Sequence, residues 1–113
     1  MLDKLAEVEQ RYIQLEGMMS DPQLLSQQRE YSKVAKERSD LEAIVFAFRE
    51  WRKVEQEITD NRQLLEESDE AMRELAKEEL VALNERKDAL EAKLKVLILP
   101  KDPNDDKNVL ESS

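Results

Sequence analysis

The side chains that could carry out catalysis in this chain are of few types. Its 113 residues include no histidine and no cysteine, so general acid–base chemistry would depend on carboxylates, lysines and tyrosines. The 27 Asp and Glu residues fall mainly on the outward faces of the helices predicted below, where such charges usually form a solvated surface. We therefore assign no catalytic residue and predict that the chain is not an enzyme.

One short segment has a pattern related to metal binding. Asp102, Asn104 and Asp106 occupy positions one, three and five of a calcium-binding loop. Position six of such a loop requires glycine and is Lys107 here, and position twelve requires glutamate and is Ser113. Because these two positions bend the loop and complete the coordination, we predict a polar turn and assign no metal site.

Binding of cofactors and nucleic acids is also disfavoured. Gly17 is the only glycine, so no glycine-rich phosphate loop can form, and we predict no cofactor. The net charge of −9 repels phosphate backbones, so direct nucleic-acid binding is not expected. Tyr12, Tyr31 and Trp51 lie at helical spacing from other apolar residues, and we interpret them as core residues rather than as a platform for stacking bases.

No segment of the sequence indicates a membrane protein or a secreted one. The opening residues, MLDKLAEVEQ, form a charged helical pattern without the apolar centre of a signal peptide. The longest apolar runs, 44–48 and 96–100, are too short to span a bilayer. The absence of cysteine fits a reducing compartment, so we expect a soluble, cytoplasmic protein.

Apolar spacing predicts three helices, near residues 2–19, 22–66 and 69–97. A break in the second helix at Ser39–Asp40 is the alternative to one continuous rod, which we favour. The predicted fold class is all-α, an elongated antiparallel three-helix bundle of coiled-coil hairpins with one long central helix. Residues 1–99 would form this domain, and residues 100–113 a polar linker leading toward a second domain.

Two aspartates are placed where helices should begin. Asp21, before Pro22, and Asp69 can each accept hydrogen bonds from the free amides of a first helical turn. In the third helix the apolar stripe begins at Met72 and continues to Leu97 with one polar position, Lys87; its members are Met72, Leu75, Ala76, Leu80, Leu83, Leu90, Leu94 and Leu97. The aliphatic stem of Lys87 is expected to cover the seam while its charge reaches water.

The positions of the two turns predict how the helices meet. Reversals near residues 20 and 67 make the first and third helices antiparallel to the long one. They set Asp3 near Arg38, and Leu97 near the same place. The far ends of the outer helices should therefore meet near the middle of the long helix.

That middle, from Leu41 to Trp51, is apolar over more of its circumference than one seam requires. Two explanations stay open at this point, an overlap of three helices and a patch that docks another domain or a partner. Phe46 and Phe48 project about 200° apart, so a single seam cannot bury both. Because Phe48 is in step with the neighbouring apolar residues, we predict that Phe48 is buried and Phe46 is exposed.

The segment from Leu94 to Val109 resembles the end of the first domain of the bacterial peptide chain release factor 1 family. In that family a long helix ends in an apolar run, followed by a Leu-Pro-Lys-Asp-Pro segment and an acidic loop. Leu99 to Asp106 carries this pattern here, and Arg49 to Val54 and Leu2 to Gly17 are also similar to the family. The resemblance covers nearly the whole chain.

The resemblance implies the amino-terminal helical domain of a translation termination factor, whose parent directs stop-codon-dependent peptide release on the ribosome. The family's Gly-Gly-Gln loop and Pro-x-Thr codon-reading tripeptide are absent from this sequence. The resemblance thus implies a non-catalytic piece of a longer protein that positions the factor and contacts the ribosome at the stalk base, around large-subunit protein L11. No residue matches a motif whose role can be transferred, so partner-binding residues are not assigned.

The competing hypothesis is a free-standing coiled-coil scaffold or a prefoldin-like chaperone arm. Such a protein would explain the apolar seams equally well. It would not explain the segment from Leu99 to Asp106.

Overall fold

The computed structural model describes residues 2–99, which form four helices and no strand. These are α1 (Leu2–Met19), α2 (Pro22–Leu25), α3 (Gln28–Glu67) and α4 (Glu70–Ile98). The all-α class is confirmed, with α1 and α4 each packed against the long α3 and overall extents of 61 × 42 × 23 Å. Among the described residues, no helix is both long and apolar enough to cross a membrane. The predicted linker and the calcium-like segment lie outside these residues.

Both predicted aspartate N-caps are confirmed. The side chain of Asp21 accepts a hydrogen bond from the backbone N–H of Gln23 at 3.0 Å, and Pro22 is the first residue of α2. The side chain of Asp69 accepts from the backbone N–H of Met72 at 2.9 Å. Each aspartate thus satisfies an amide that has no partner inside its own helix.

The prediction of one helix over residues 22–66 is wrong at its start. The single turn of α2 ends at Leu25, and α3 begins only at Gln28. Ser26 donates its hydroxyl to the carbonyl of Gln23 at 2.7 Å, and Gln27 has non-helical backbone angles, φ −111° and ψ 86°. A serine that bonds to nearby backbone competes with helix continuation, and apolar spacing does not register such a break. From Gln28 onward α3 is continuous through residues 39 and 40, as predicted.

This break changes the register between α1 and α3. Asp3 was predicted beside Arg38, and that pairing is wrong. Arg38 instead contacts Glu16, with Nη2 and Oε2 3.3 Å apart, and Glu9 is reached by Arg49, farther along α3. Because α2 and its flanking turns lengthen the connection, each residue of α1 lies opposite a later residue of α3 than a simple reversal near residue 20 would give.

One buried cluster joins the three long helices at the middle of α3. It includes Leu5 from α1, Phe48 and Trp51 from α3, and Leu90 and Leu94 from α4. The prediction that the far ends of the outer helices meet there is confirmed. We call this cluster the junction. Burial of apolar surface contributed by three helices is the main stabilising contribution there.

The two phenylalanines of α3 have the predicted exposures. Phe48 is 4% exposed and its ring stacks on Trp51 at 6.2 Å between centroids. Phe46 is 53% exposed, and its ring meets the edge of Tyr12 at 6.3 Å. The overlap of three helices therefore explains why Phe48 is buried, whereas Phe46 lies on the surface.

Candidate partner-binding surface

The charged side chains between α1 and α3 are used to hold the two helices together. Glu9 accepts hydrogen bonds from Arg49 at 2.9 Å and from Arg52. Arg11 donates two bonds to Glu37, from Nε at 2.6 Å and from Nη2 at 2.8 Å. Such forked pairs fix geometry as well as charge.

The acidity of these carboxylates follows from their partners. The hydrogen bond from Arg49 lowers the pKa of Glu9, and Arg52 acts in the same direction, while burial opposes both. The hydrogen bond from Arg11 likewise lowers the pKa of Glu37. A carboxylate with a lowered pKa stays ionised near neutral pH and has no proton to donate, so these groups are unsuited to general acid catalysis.

Tyr12 lies at the centre of the α1–α3 contact. It is buried, with the guanidinium carbons of Arg38 and Arg49 at 5.2 and 5.6 Å from the centroid of its ring. The prediction that Tyr12 and Trp51 are core residues is confirmed, and Tyr31 is half-buried. Neither Tyr12 nor Trp51 offers an open ring face on which a base could stack.

Polar contacts also join α3 to α4. Trp51 donates its indole N–H to Glu91 at 3.1 Å. The stem of Lys87 was predicted to cover the seam while its charge reaches water; its side chain is 28% exposed, and its Nζ pairs with Glu55 at 3.2 Å. This partner comes from the other helix, which is why the pattern of α4 alone does not reveal it.

Two surface clefts of the described region have charged walls. The cleft between α3 and α4, of about 470 Å³, has Val54 and Leu83 beneath it and is lined by Arg49, Glu50, Lys53, Glu57 and Arg86. Arg86 pairs with Glu50 across this cleft, and that hydrogen bond lowers the pKa of Glu50. The other cleft, of about 520 Å³, is formed by residues of α1 alone, namely Glu7, Gln10, Arg11, Ile13 and Gln14. Within residues 2–99 no group of three Asp or Glu side chains is placed to hold a metal ion.

The remaining candidate is the part of α3 and α4 beyond the junction, which we call the distal hairpin and define as residues 55–85. It contains eleven Asp and Glu residues against three Lys and Arg, a net charge of −8 out of −9 for the whole chain. Such a concentration of one sign of charge favours a partner of the opposite sign.

The distal hairpin also exposes apolar side chains that the sequence placed in the seam. Met72 is exposed and Leu75 is 60% exposed, whereas Ala76 and Leu83 are buried as predicted. The assignment of Met72 and Leu75 to the buried stripe is therefore wrong. They lie in the first turns of α4, beside the end of α3 at Glu67, and Leu75 is turned away from the face that packs on α3.

Comparison with known proteins gives a consistent set of relatives. Residues 8–111 match the PCRF domain. The chain is 49% identical to peptide chain release factor 1 of Geotalea uraniireducens over 97% of its own length and 30% of the relative. It is 46% identical to the proteins of the same name from Pelobacter propionicus and Alkaliphilus oremlandii, covering 97% of this chain and 30% and 31% of theirs. The chain thus spans about 30% of the length of these relatives. A search of solved structures gave no significant match.

Proposed function

Because the chain belongs to the PCRF domain family, we propose that it is the amino-terminal domain of a bacterial translation termination factor. The observation that carries this proposal is the 46–49% identity to peptide chain release factor 1 over 97% of the chain. Stop-codon-dependent peptide release on the ribosome would then be the activity of the longer protein. A free-standing scaffold would have no reason to keep this identity.

Within that activity we propose a non-catalytic role for residues 1–113. The sequence lacks both the Gly-Gly-Gln and the Pro-x-Thr motifs that the family resemblance associates with release and codon reading. Glu9 and Glu37 each accept hydrogen bonds from arginines that lower their pKa, which supports a structural use of these two groups. The domain would contribute position and contacts, and the chemistry would lie elsewhere in the factor.

The proposed partner is the ribosome, at the stalk base around large-subunit protein L11, in the cytoplasm. The acidic surface supports contact with protein rather than with ribosomal RNA, because phosphates would be repelled. The elongated shape, 61 Å in its longest dimension, suits a module that reaches from one contact to another.

Binding to ribosomes tests the proposal. The purified chain should bind 70S ribosomes, compete with the intact release factor from the same organism, and lose affinity for ribosomes that lack L11. Wild-type affinity for the ribosomes without L11 would contradict the stalk-base site. Absence of binding together with self-association into coiled-coil oligomers would favour the scaffold hypothesis.

A release assay tests the non-catalytic role. The chain alone should free no peptide from ribosomes that carry peptidyl-tRNA and a stop codon, while the intact factor serves as the positive control. Codon-dependent release by the chain alone would refute the assignment.

A further inference from the structure

The distal hairpin is left uncovered by the rest of the described structure. The backbone of α1 packs against α2 and α3 and does not approach α4. Leu5, near the start of α1, is buried in the junction cluster, so α1 has reached its end there. Beyond that level, among residues 2–99, the hairpin consists of two helices alone and no other described element packs on its broad faces.

One face of this arm is apolar as well as exposed. Met72 and Leu75 lie three residues apart on α4, about 60° around the helix from each other, and form one patch. Val81 is equally exposed, at 63%, but it is about 120° from Leu75 and faces another direction. A methionine beside a leucine makes an adaptable apolar contact, because the thioether side chain adjusts to the surface it meets.

The charge around the patch identifies the chemistry of the partner. Glu74, Glu78 and Glu79 lie on the same helix, and Glu66 and Glu67 end the facing one. The distal hairpin has a net charge of −8, so its apolar patch is surrounded by an acidic surface. The complementary partner surface is an apolar patch surrounded by lysines and arginines. Glu74 already pairs with Lys77 at 3.3 Å, and the other four carboxylates belong to the net negative surface. Nucleic acid would bring more negative charge to this surface, and a neutral protein would gain no attraction from it.

We propose that the Met72–Leu75 face of the distal hairpin docks on a basic protein surface. The apolar pair supplies the contact that excludes water, and the surrounding carboxylates steer the encounter and fix its orientation. This inference rests on the proposed function, because the partner is taken to be a protein of the ribosome. It adds which end of the domain makes the contact and which side chains carry it.

Cross-linking from defined positions tests the class of the partner. Since the chain has no cysteine, Leu75→Cys and Val81→Cys can each carry a single photoreactive label without other changes. With 70S ribosomes as the probe, the label at position 75 should give a cross-link to a basic protein, and the label at position 81 should give several-fold less. Cross-linking of position 75 mainly to ribosomal RNA, or equal yields from both positions, would overturn the inference.

Affinity measurements test the two components of the contact. Leu75→Ser should weaken ribosome binding by about tenfold, as for a contact residue of moderate importance, and Val81→Ser should leave it unchanged. The quadruple variant Glu66→Gln, Glu67→Gln, Glu78→Gln, Glu79→Gln should also weaken binding and reduce its dependence on salt. All these side chains are exposed, so melting curves should show that the variants remain folded.

The outcomes separate this inference from the proposed function. If the wild-type chain binds ribosomes and the Leu75 and Val81 variants bind equally well, the docking face is wrong and ribosome binding stands. If the wild-type chain does not bind at all, both proposals fail. Weaker binding of the Leu75 variant alone, with a protein cross-link from position 75, supports the inference.

Discussion

Truncation of Phe48 tests the three-helix junction most directly. Its ring is 4% exposed, stacks on Trp51 at 6.2 Å, and lies under the guanidinium of Arg52, whose carbon is 4.4 Å from the ring centroid. Removal of a buried phenylalanine side chain costs about 3–5 kcal/mol in transfer and cavity energy. The ring of Phe46 is 53% exposed and makes an edge contact with Tyr12. Phe46→Ala removes this contact, and an aromatic pair of this type is worth at most about 1 kcal/mol when half solvated.

The free energies of unfolding can be obtained from urea titrations followed by far-ultraviolet circular dichroism at neutral pH. Fluorescence of Trp51, the only tryptophan, reports the junction in the same samples. The total stability of a domain of this size is about 5–15 kcal/mol, so Phe48→Ala can leave little folded protein. Phe48→Leu keeps part of the apolar side chain and should show an intermediate loss. A larger loss for Phe46→Ala than for Phe48→Ala would refute the assignment of the buried face of α3.

Three further predictions concern a carboxylate, the two caps and the last turns of α4. Because the bond from Arg49 lowers the pKa of folded Glu9, its stabilising effect should be complete above the unfolded pKa of about 4.3 and lost as pH falls through the lower folded value. Urea melts should therefore show that the free energy of unfolding falls less between pH 7 and pH 3 for Glu9→Gln than for the wild type. Equal decreases in the two proteins would contradict this. Asp69→Ala should destabilise the domain by about 1 kcal/mol in thermal melts, and Asp21→Ala by less, because Asp21 caps a single turn; the reverse order would show that α2 matters more than its size indicates. Leu94→Ala should cost about 2–5 kcal/mol in the same melts because Leu94 is fully buried, whereas Val96→Ala should stay within about 0.5 kcal/mol, and similar losses would place Val96 in the core.

The sequence predicts those features of the fold that depend on local spacing. The helix starts at Asp21 and Asp69 follow from side chains that reach their own first turns. The choice of Phe48 over Phe46 follows from the angular position of each residue around one helix. These predictions need no knowledge of a second helix, which is why they hold.

The register between α1 and α3 depends on a connection that the sequence describes poorly. Ser26 and Gln27 interrupt the helix without glycine or proline, and the extra turn shifts every pairing along α3. The partner of Arg11 illustrates the consequence. Arg11 lies four residues after Glu7 in α1, a spacing that allows an ion pair within one helix, yet it bonds to Glu37 of α3 at 2.6 Å. Arg11 is long enough to reach either carboxylate, so the register between the two helices determines which one it binds. The pattern of a single helix contains no information on that register.

The candidate surface could not be predicted for a related reason. Met72 and Leu75 match the apolar stripe of α4, and only the end of α3 at Glu67 and the direction of each side chain reveal that they stay exposed. The charge of the distal hairpin is visible in the sequence, but its meaning is not. A run of acidic helix is usually a solvated face, and it becomes a candidate for binding once the structure places an uncovered apolar patch within it.

The arrangement of the helices bears on the proposed positioning role. α3 has 40 residues and so a length of roughly 60 Å, and a helix of that length bends most easily where nothing packs on it. α1 supports one part of α3 and α4 the other, and both supports extend to the junction around Phe48 and Trp51. Since the supports overlap there, the middle of α3 has no unsupported segment that could act as a hinge. We therefore expect a displacement of the distal hairpin to pass through α3 to the far end of the domain, and loss of packing at Phe48 to weaken this coupling.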